Sequence, residues 1–146
     1  MSFFINPVEE DQCVFLSYEG ELPPIEVVAA RYEAIALLAQ RRWNRVVVDV
    51  TQLGSVTERD LPKFAQGLTS DLPCRVRVAL VVRPEQSKYA RLIEDFARNN
   101  GVRLTFFSDL EDAIRWVKGI RPSEQLKSPL IGTDESVRLN IFLTRT

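Results

Sequence analysis

The side chains that could do chemistry in this chain are hydroxyls, carboxylates and basic groups, because its 146 residues include no histidine. Lack of histidine excludes Ser-His-Asp and Cys-His nucleophilic sites, most zinc sites and the usual proton shuttle near neutral pH. Carboxylate or lysine chemistry has no supporting motif, and Gly54 and Gly67 form no glycine-rich phosphate loop. We therefore expect a non-enzymatic protein with no catalytic residue, no metal site and no cofactor.

A small set of polar residues follows two of the segments that we predict as strands. In an open α/β sheet, ligands bind beyond the carboxyl ends of the parallel strands. The residues that we predict as ligand-binding at this edge are Thr51, Gln52, Thr57, Glu58, Arg83 and Lys88. Arg83 and Lys88 lie close to predicted helix N-termini, which favour anions. The alternative interpretation is that all six residues cap helices or face solvent.

The elements that would position these residues alternate between strand and helix. Apolar periodicity and turn residues predict the order β-β-α-β-α-β-α-β-α. The predicted strands cover residues 3–6, 13–18, 45–50, 76–82 and 102–107, and the predicted helices cover residues 25–42, 57–70, 85–100 and 108–118. This alternation predicts an α/β fold with a mixed, mostly parallel sheet of about five strands and four helices. We expect the first strand to be an antiparallel edge.

The predicted helix over residues 25–42 is apolar on two opposite faces. One stripe consists of Ile25, Val28, Ala29, Tyr32, Ile35, Ala36 and Ala39, and the other consists of Val27, Ala30, Ala34, Leu37 and Leu38. At about 100° per residue the two stripes lie nearly opposite each other. A helix that is apolar on two faces needs cover on both, so one face meets the sheet. We predict that the second stripe is an interface.

Three covers for this second stripe are consistent with the sequence. The first is the same helix of a second subunit, which would give an isologous homodimer. The second is a C-terminal arm over residues 120–146, which follows a domain over residues 1–119. This arm has a loop-like start and a possible extra strand in which Val137, Leu139, Ile141 and Leu143 alternate with other residues. The third is a lipid or other small apolar ligand.

Composition limits the partners that this chain could have. Nineteen basic and 20 acidic residues give a net charge of −1, which argues against nucleic-acid binding. No apolar run is long enough to span a membrane, and the N-terminus has no signal-peptide pattern. We therefore expect a cytoplasmic protein. Cys13 lies in an apolar stretch and is predicted to be a small buried hydrophobe.

The element order, together with VVVDVTQLGSVTERDL between the third strand and the second helix, resembles the STAS fold. That fold occurs in bacterial anti-sigma-factor antagonists and in cytoplasmic tails of sulfate transporters. The chain is still more similar to a SEC14-like branch, whose chains end in a helix like EDAIRWV. The resemblance covers residues 3–118 and implies a regulatory or protein-interaction module, here a homodimer. The SEC14-like similarity implies the alternative, a carrier or sensor of a lipid or other small apolar ligand.

One feature of the antagonists is missing from this chain. Anti-sigma-factor antagonists carry a phosphorylatable serine, preceded by an aspartate, at the start of the second helix. Aligning Val46–Val50 and Leu53 with their pattern places Thr57 at the aspartate position and Glu58 at the serine position. The resemblance therefore does not extend to the phosphorylation switch.

Overall fold

The computed structural model describes residues 3–21, 24–54, 56–57, 59–73 and 75–119. The strands are β1 (Phe3–Val8), β2 (Cys13–Gly20), β3 (Arg45–Leu53), β4 (Arg77–Val81) and β5 (Arg103–Phe107). The helices are α1 (Pro24–Arg41), α2 (Leu61–Thr69), α3 (Ser87–Asn99) and α4 (Leu110–Val117), with a 3-10 turn (Pro84–Gln86) directly before α3. This order confirms the one that the sequence predicts. The predicted C-terminal arm lies outside the described residues.

The five strands form one sheet in the order β1-β2-β3-β4-β5. The β1 strand is antiparallel to β2, and the next three pairings are parallel. The mixed, mostly parallel sheet with an antiparallel edge is therefore confirmed. The run of valines in β3 is buried on both faces of the sheet, with Val46 and Val48 in one core cluster and Val47 in another.

Helices cover both faces of the sheet. The larger core cluster joins one sheet face to α1, α2 and α3, and the smaller one joins the opposite face to α4. Right-handed crossovers between neighbouring parallel strands place α1, α2 and α3 on one side. Each helix follows the carboxyl end of a strand, so that edge of the sheet carries the helix N-termini.

The α1 helix is oriented opposite to our prediction. The predicted interface stripe points into the molecule: Val27, Ala30, Ala34 and Leu38 are at most 4% exposed, and the half-buried Leu37 packs against the same core. The stripe that we expected on the sheet faces outward, because its Ile25 and Tyr32 are 72% and 58% exposed. The inward stripe is fixed by α2, because Val27 packs against Gly67, where a Cβ atom would lie only 2.9 Å from Val27 Cγ1.

The α2 helix begins four residues later than predicted. The Thr57 carbonyl oxygen accepts hydrogen bonds from Asp60 N and Leu61 N, both at 3.0 Å. Thr57 Oγ1 also accepts from Asp60 N at 3.2 Å. These bonds form a separate turn, and the helix starts only beyond it. Pro62 fits within the first helical turn, where its missing N–H costs no hydrogen bond.

Cys13 is buried and free, as predicted. It lies on the α4 side of the sheet, in the core cluster that also contains Val47, Ala79 and Ala113. Burial raises the pKa of its thiol to about 11, and the nearby Asp11 carboxylate adds to the shift. The side chain therefore stays a neutral, unreactive thiol at physiological pH.

The α1 and α2 helices approach each other closely at Gly67. A Cβ atom at this position would lie 2.9 Å from Val27 Cγ1 and 3.3 Å from Val27 Cβ. Val27 is fully buried, and its β-branched side chain has little rotamer freedom in a helix. Only glycine therefore fits at position 67 without displacing α1.

Replacing this glycine tests the close approach. We expect Gly67→Ala to lower the free energy of unfolding by about 1–2 kcal/mol, because overpacking outweighs the helical preference for alanine. In a Val27→Ala background, Gly67→Ala should leave the free energy of unfolding unchanged or raise it. Urea unfolding of both single variants and of the double variant would measure this difference. Additive effects of the two substitutions would contradict the contact.

Candidate functional site

The predicted ligand-binding residues at the carboxyl edge of the sheet make local contacts. Thr51 N and Thr51 Oγ1 both donate to Asp49 Oδ1, at 2.8 and 2.6 Å. Thr57 is exposed, and its hydroxyl is held by the turn that precedes α2. Gln52 and Lys88 are exposed. Glu58 lies outside the described residues.

Arg83 is held by the turn that leads into α3. Its backbone N donates to Gln86 Oε1 at 2.8 Å, and its Nε lies 3.6 Å from Glu85 Oε2. Gln86 is only 3% exposed, and its Nε2 donates to Val50 O at 2.9 Å. This buried amide ties the end of β3 to the start of α3. All these contacts are typical of turn and cap groups, and a ligand-binding role at this edge stays a prediction.

The outer face of α1, defined as Ile25, Val28, Ala29, Tyr32, Ile35, Ala36 and Ala39, is an apolar surface in the folded chain. These residues span about 120° of the helix circumference, and no charged residue of α1 falls within that arc. Ile25 and Tyr32 are the most exposed of its large side chains. Exposed apolar patches of this kind mark interaction sites more often than isolated apolar residues do.

A groove between α1 and α2 continues this outer face. It encloses about 490 Å³ and is lined by Val28, Arg31, Lys63, Gln66, Gly67, Ser70 and Asp71. Val28 belongs both to the groove and to the outer face of α1. The apolar outer face is therefore bordered by a polar groove. Protein interfaces have the same arrangement, with an apolar core and a polar rim.

Arg31 holds the two walls of this groove together. The guanidinium is 7% exposed, and its Nη1 donates to Gly67 O at 2.9 Å and to Gln66 O at 3.4 Å. Both carbonyls belong to the last turn of α2, whose end attracts cations. Gln66 O also accepts from Ser70 N at 3.0 Å and from Ser70 Oγ at 2.7 Å, so Gly67 O depends more on Arg31. Its Nη2 lies 3.8 Å from Asp71 Oδ2. Our sequence analysis did not single out Arg31, since an arginine between two apolar stripes of a helix gives no sign of burial.

The amino edge of the sheet contains a cleft that our sequence analysis missed. It encloses about 620 Å³ and is lined by Arg77, Arg98, Val102, Arg103, Leu104, Thr105, Trp116 and Gly119. A signal was present, since β3, β4 and β5 each begin with an arginine. The predicted fourth and fifth strands begin at Val76 and Val102, each one residue before the arginine, so the sequence alone does not place the three arginines in one row.

Within the described residues, no group of three or more His, Cys, Asp or Glu side chains is arranged to hold a metal ion. Of the helices found there, none combines the length and apolar character needed to cross a bilayer.

Comparison with known proteins adds information about the fold. No protein-family model and no curated protein matches the chain. An anti-sigma factor antagonist from Mycobacterium paratuberculosis superposes with a TM-score of 0.55 at 16% identity, over 80% of this chain and 95% of that one. A Shewanella loihica protein with a SpoIIAA-like fold superposes with a TM-score of 0.55 at 19% identity, over 80% and 92% of the two chains. The chain has a SpoIIAA-like fold.

The SpoIIAA-like fold confirms the STAS resemblance at the level of architecture. At these identities the likeness extends to the fold alone, so the site residues rest on the contacts described above. Within this fold, the outer face of α1 and the groove beside it form the candidate interaction surface.

The structural role of Arg31 beneath this surface can be tested by stability. We expect Arg31→Met to lower the free energy of unfolding by about 1–3 kcal/mol, because the Gly67 carbonyl of α2 loses its buried donor. Arg91→Met is the matched control, since Arg91 is exposed on α3 and its loss should change stability by less than about 0.5 kcal/mol. Equal changes in the free energy of unfolding for Arg31→Met and Arg91→Met, measured by urea unfolding, would contradict this role of Arg31.

Proposed function

We propose that this protein is a non-enzymatic regulatory module that acts through protein–protein contacts, as a homodimer joined by the outer face of α1. The observation that carries the proposal is an apolar stripe that faces outward on a helix whose opposite stripe packs into the core. The SpoIIAA-like fold supports it, because one of the superposed structures is an anti-sigma factor antagonist. We propose the cytoplasm as its location.

The composition of the outer face suits pairing with a second copy of itself. Large side chains at Ile25 and Tyr32 alternate along the helix with small ones at Ala29 and Ala36. In an isologous contact the same patch is used twice, so the large residues of one copy can fill the space above the small residues of the other. The outer face of α1 can therefore be complementary to itself, without a different protein as partner.

The area of the outer face determines how strongly we expect two copies to associate. An 18-residue helix is about 27 Å long, and a stripe about 10 Å wide therefore offers roughly 300 Å² per subunit. Stable interfaces use about 800 Å² per partner. Even with the α1–α2 groove included, we expect a reversible dimer whose population rises with protein concentration.

A charged substitution at the centre of the stripe tests the proposal. In sedimentation velocity over a concentration series, the wild-type chain should shift from monomer to dimer, whereas Tyr32→Glu should stay monomeric because it would bury a carboxylate. Leu92→Glu is the matched control, since Leu92 is 50% exposed on α3 and lies outside the stripe. This variant should dimerise like the wild type.

Two results would contradict the proposed dimer. One is a wild-type chain that remains monomeric at the highest concentration reached. The other is an equal loss of association in the Tyr32→Glu and Leu92→Glu variants, which would indicate unspecific apolar contact.

The alternative function, a carrier or sensor of a small apolar ligand, has one observation in its favour. An apolar groove of about 260 Å³ lies between α2 and α3, lined by Leu61, Pro62, Ala65, Leu92 and Phe96. Ligand pockets usually enclose about 300–1,000 Å³, so this groove is small, and it is open to solvent. A second cavity beside Tyr18 measures only about 20 Å³. Protein interaction through α1 is therefore the better supported function.

A further inference from the structure

We propose that the cleft at the amino edge of the sheet binds the phosphate group of a small molecule, with Arg77 and Arg103 as its ligands. The cleft lies at the edge opposite to the predicted rim, and nothing in the dimer proposal involves it. Its described lining includes three arginines, a threonine and a tryptophan, and no acidic residue. The site would thus give the module a second, chemically distinct binding function.

Sheet register brings the two arginines together. Arg77 pairs with Arg103 across the β4–β5 ladder, and Arg45 pairs with Arg77 across the β3–β4 ladder. Residues paired in this way lie about 4.8 Å apart and point to the same face of the sheet. Three guanidinium groups therefore start from one row, on the face that carries α4.

The three arginines of this row differ in the partners that their guanidinium groups contact. Arg45 Nη1 donates to Asp11 O at 2.9 Å, and the nearby Asp11 carboxylate also receives Lys118 Nζ at 3.1 Å. Arg77 Nη1 donates to Trp116 O at 2.9 Å. Arg103 is exposed and makes no hydrogen bond or ion pair within the described part of the chain. Among the described residues, no carboxylate lies between Arg77 and Arg103 in the lining of the cleft.

The other basic residue of the cleft is already neutralised. Arg98 Nη1 lies 2.8 Å from Asp95 Oδ1, and its Nη2 lies 3.7 Å from Glu94 Oε1. The C-terminal ends of α3 and α4 add roughly half a negative charge each at this edge. Two full positive charges on Arg77 and Arg103 exceed that total, so the cleft keeps a net positive potential.

The Trp116 side of the cleft fixes one of the two arginines. The Arg77 guanidinium carbon lies 5.6 Å from the centroid of the Trp116 ring, and Phe107 packs against that ring at 5.9 Å. A guanidinium held by an aromatic ring and a carbonyl loses little freedom on binding an anion. Thr105, two residues along β5 from Arg103 and on the same face, adds a hydroxyl donor.

Chemistry and size together define the ligand class. Each guanidinium group can donate two parallel hydrogen bonds, so the pair can bind several oxygens of one phosphate group and balance its double charge. The cleft measures about 620 Å³ and is open to solvent, so it has room for a phosphate group alone or with an attached organic group. The ligand is therefore inorganic phosphate or a small organic phosphate ester.

Calorimetric titration of the full chain at low ionic strength tests this site, with pyrophosphate, ADP and adenosine as probes. We expect pyrophosphate and ADP to bind and adenosine not to bind. Arg103→Gln should weaken binding about tenfold or more, because charge-assisted hydrogen bonds are lost while no internal contact is disturbed. Arg91→Gln, which removes the same charge from the outer side of α3, should leave the affinity unchanged.

The outcomes separate the sources of the phosphate group and the ways in which the proposal fails. Equal affinities for pyrophosphate and ADP would assign the site to inorganic phosphates, and tighter binding of ADP would assign it to an organic phosphate. The proposal is overturned if neither probe binds at millimolar concentration, if adenosine binds as well as ADP, or if Arg91→Gln and Arg103→Gln weaken binding equally.

Discussion

Close packing of α1 against the sheet and against α2 is the constraint on which the rest of this structure depends. The contact allows no side chain at Gly67, because Val27 occupies the space where a Cβ atom would lie. Arg31 fixes the same contact from the other side through the carbonyls that end α2. With the rotation of α1 about its axis set in this way, Ile25 and Tyr32 have to face outward.

The two proposed binding surfaces follow from one feature of the topology. Parallel strands send all helix N-termini to the carboxyl edge of the sheet, where Gln86 and Asp49 satisfy local backbone groups. The opposite edge receives helix C-termini, whose carbonyls attract cations, and arginines at the strand starts gather there. Protein contact through α1 and anion binding at the amino edge therefore use separate parts of the molecule.

Sequence periodicity predicted the strands, the helices and their order, because burial on a sheet imposes a repeat that can be seen in one chain. It could not decide which stripe of α1 meets the sheet. Both stripes have the right spacing, and the choice depends on contacts with Gly67, which lies 40 residues beyond Val27 in the chain. The arginine cleft could not be predicted for a related reason. Only the strand register shows that Arg77 and Arg103 are neighbours.

Disulfide trapping tests most directly whether the outer face of α1 joins two subunits. Ala29→Cys and Ala36→Cys place thiols within the stripe, and Glu33→Cys places one on the same helix outside it, each in a Cys74→Ser background. Our account predicts that mild oxidation traps a covalent dimer from at least one of the two stripe variants, while the Glu33→Cys protein stays monomeric. Monomers from all three variants, or equal trapping at position 33, would contradict it.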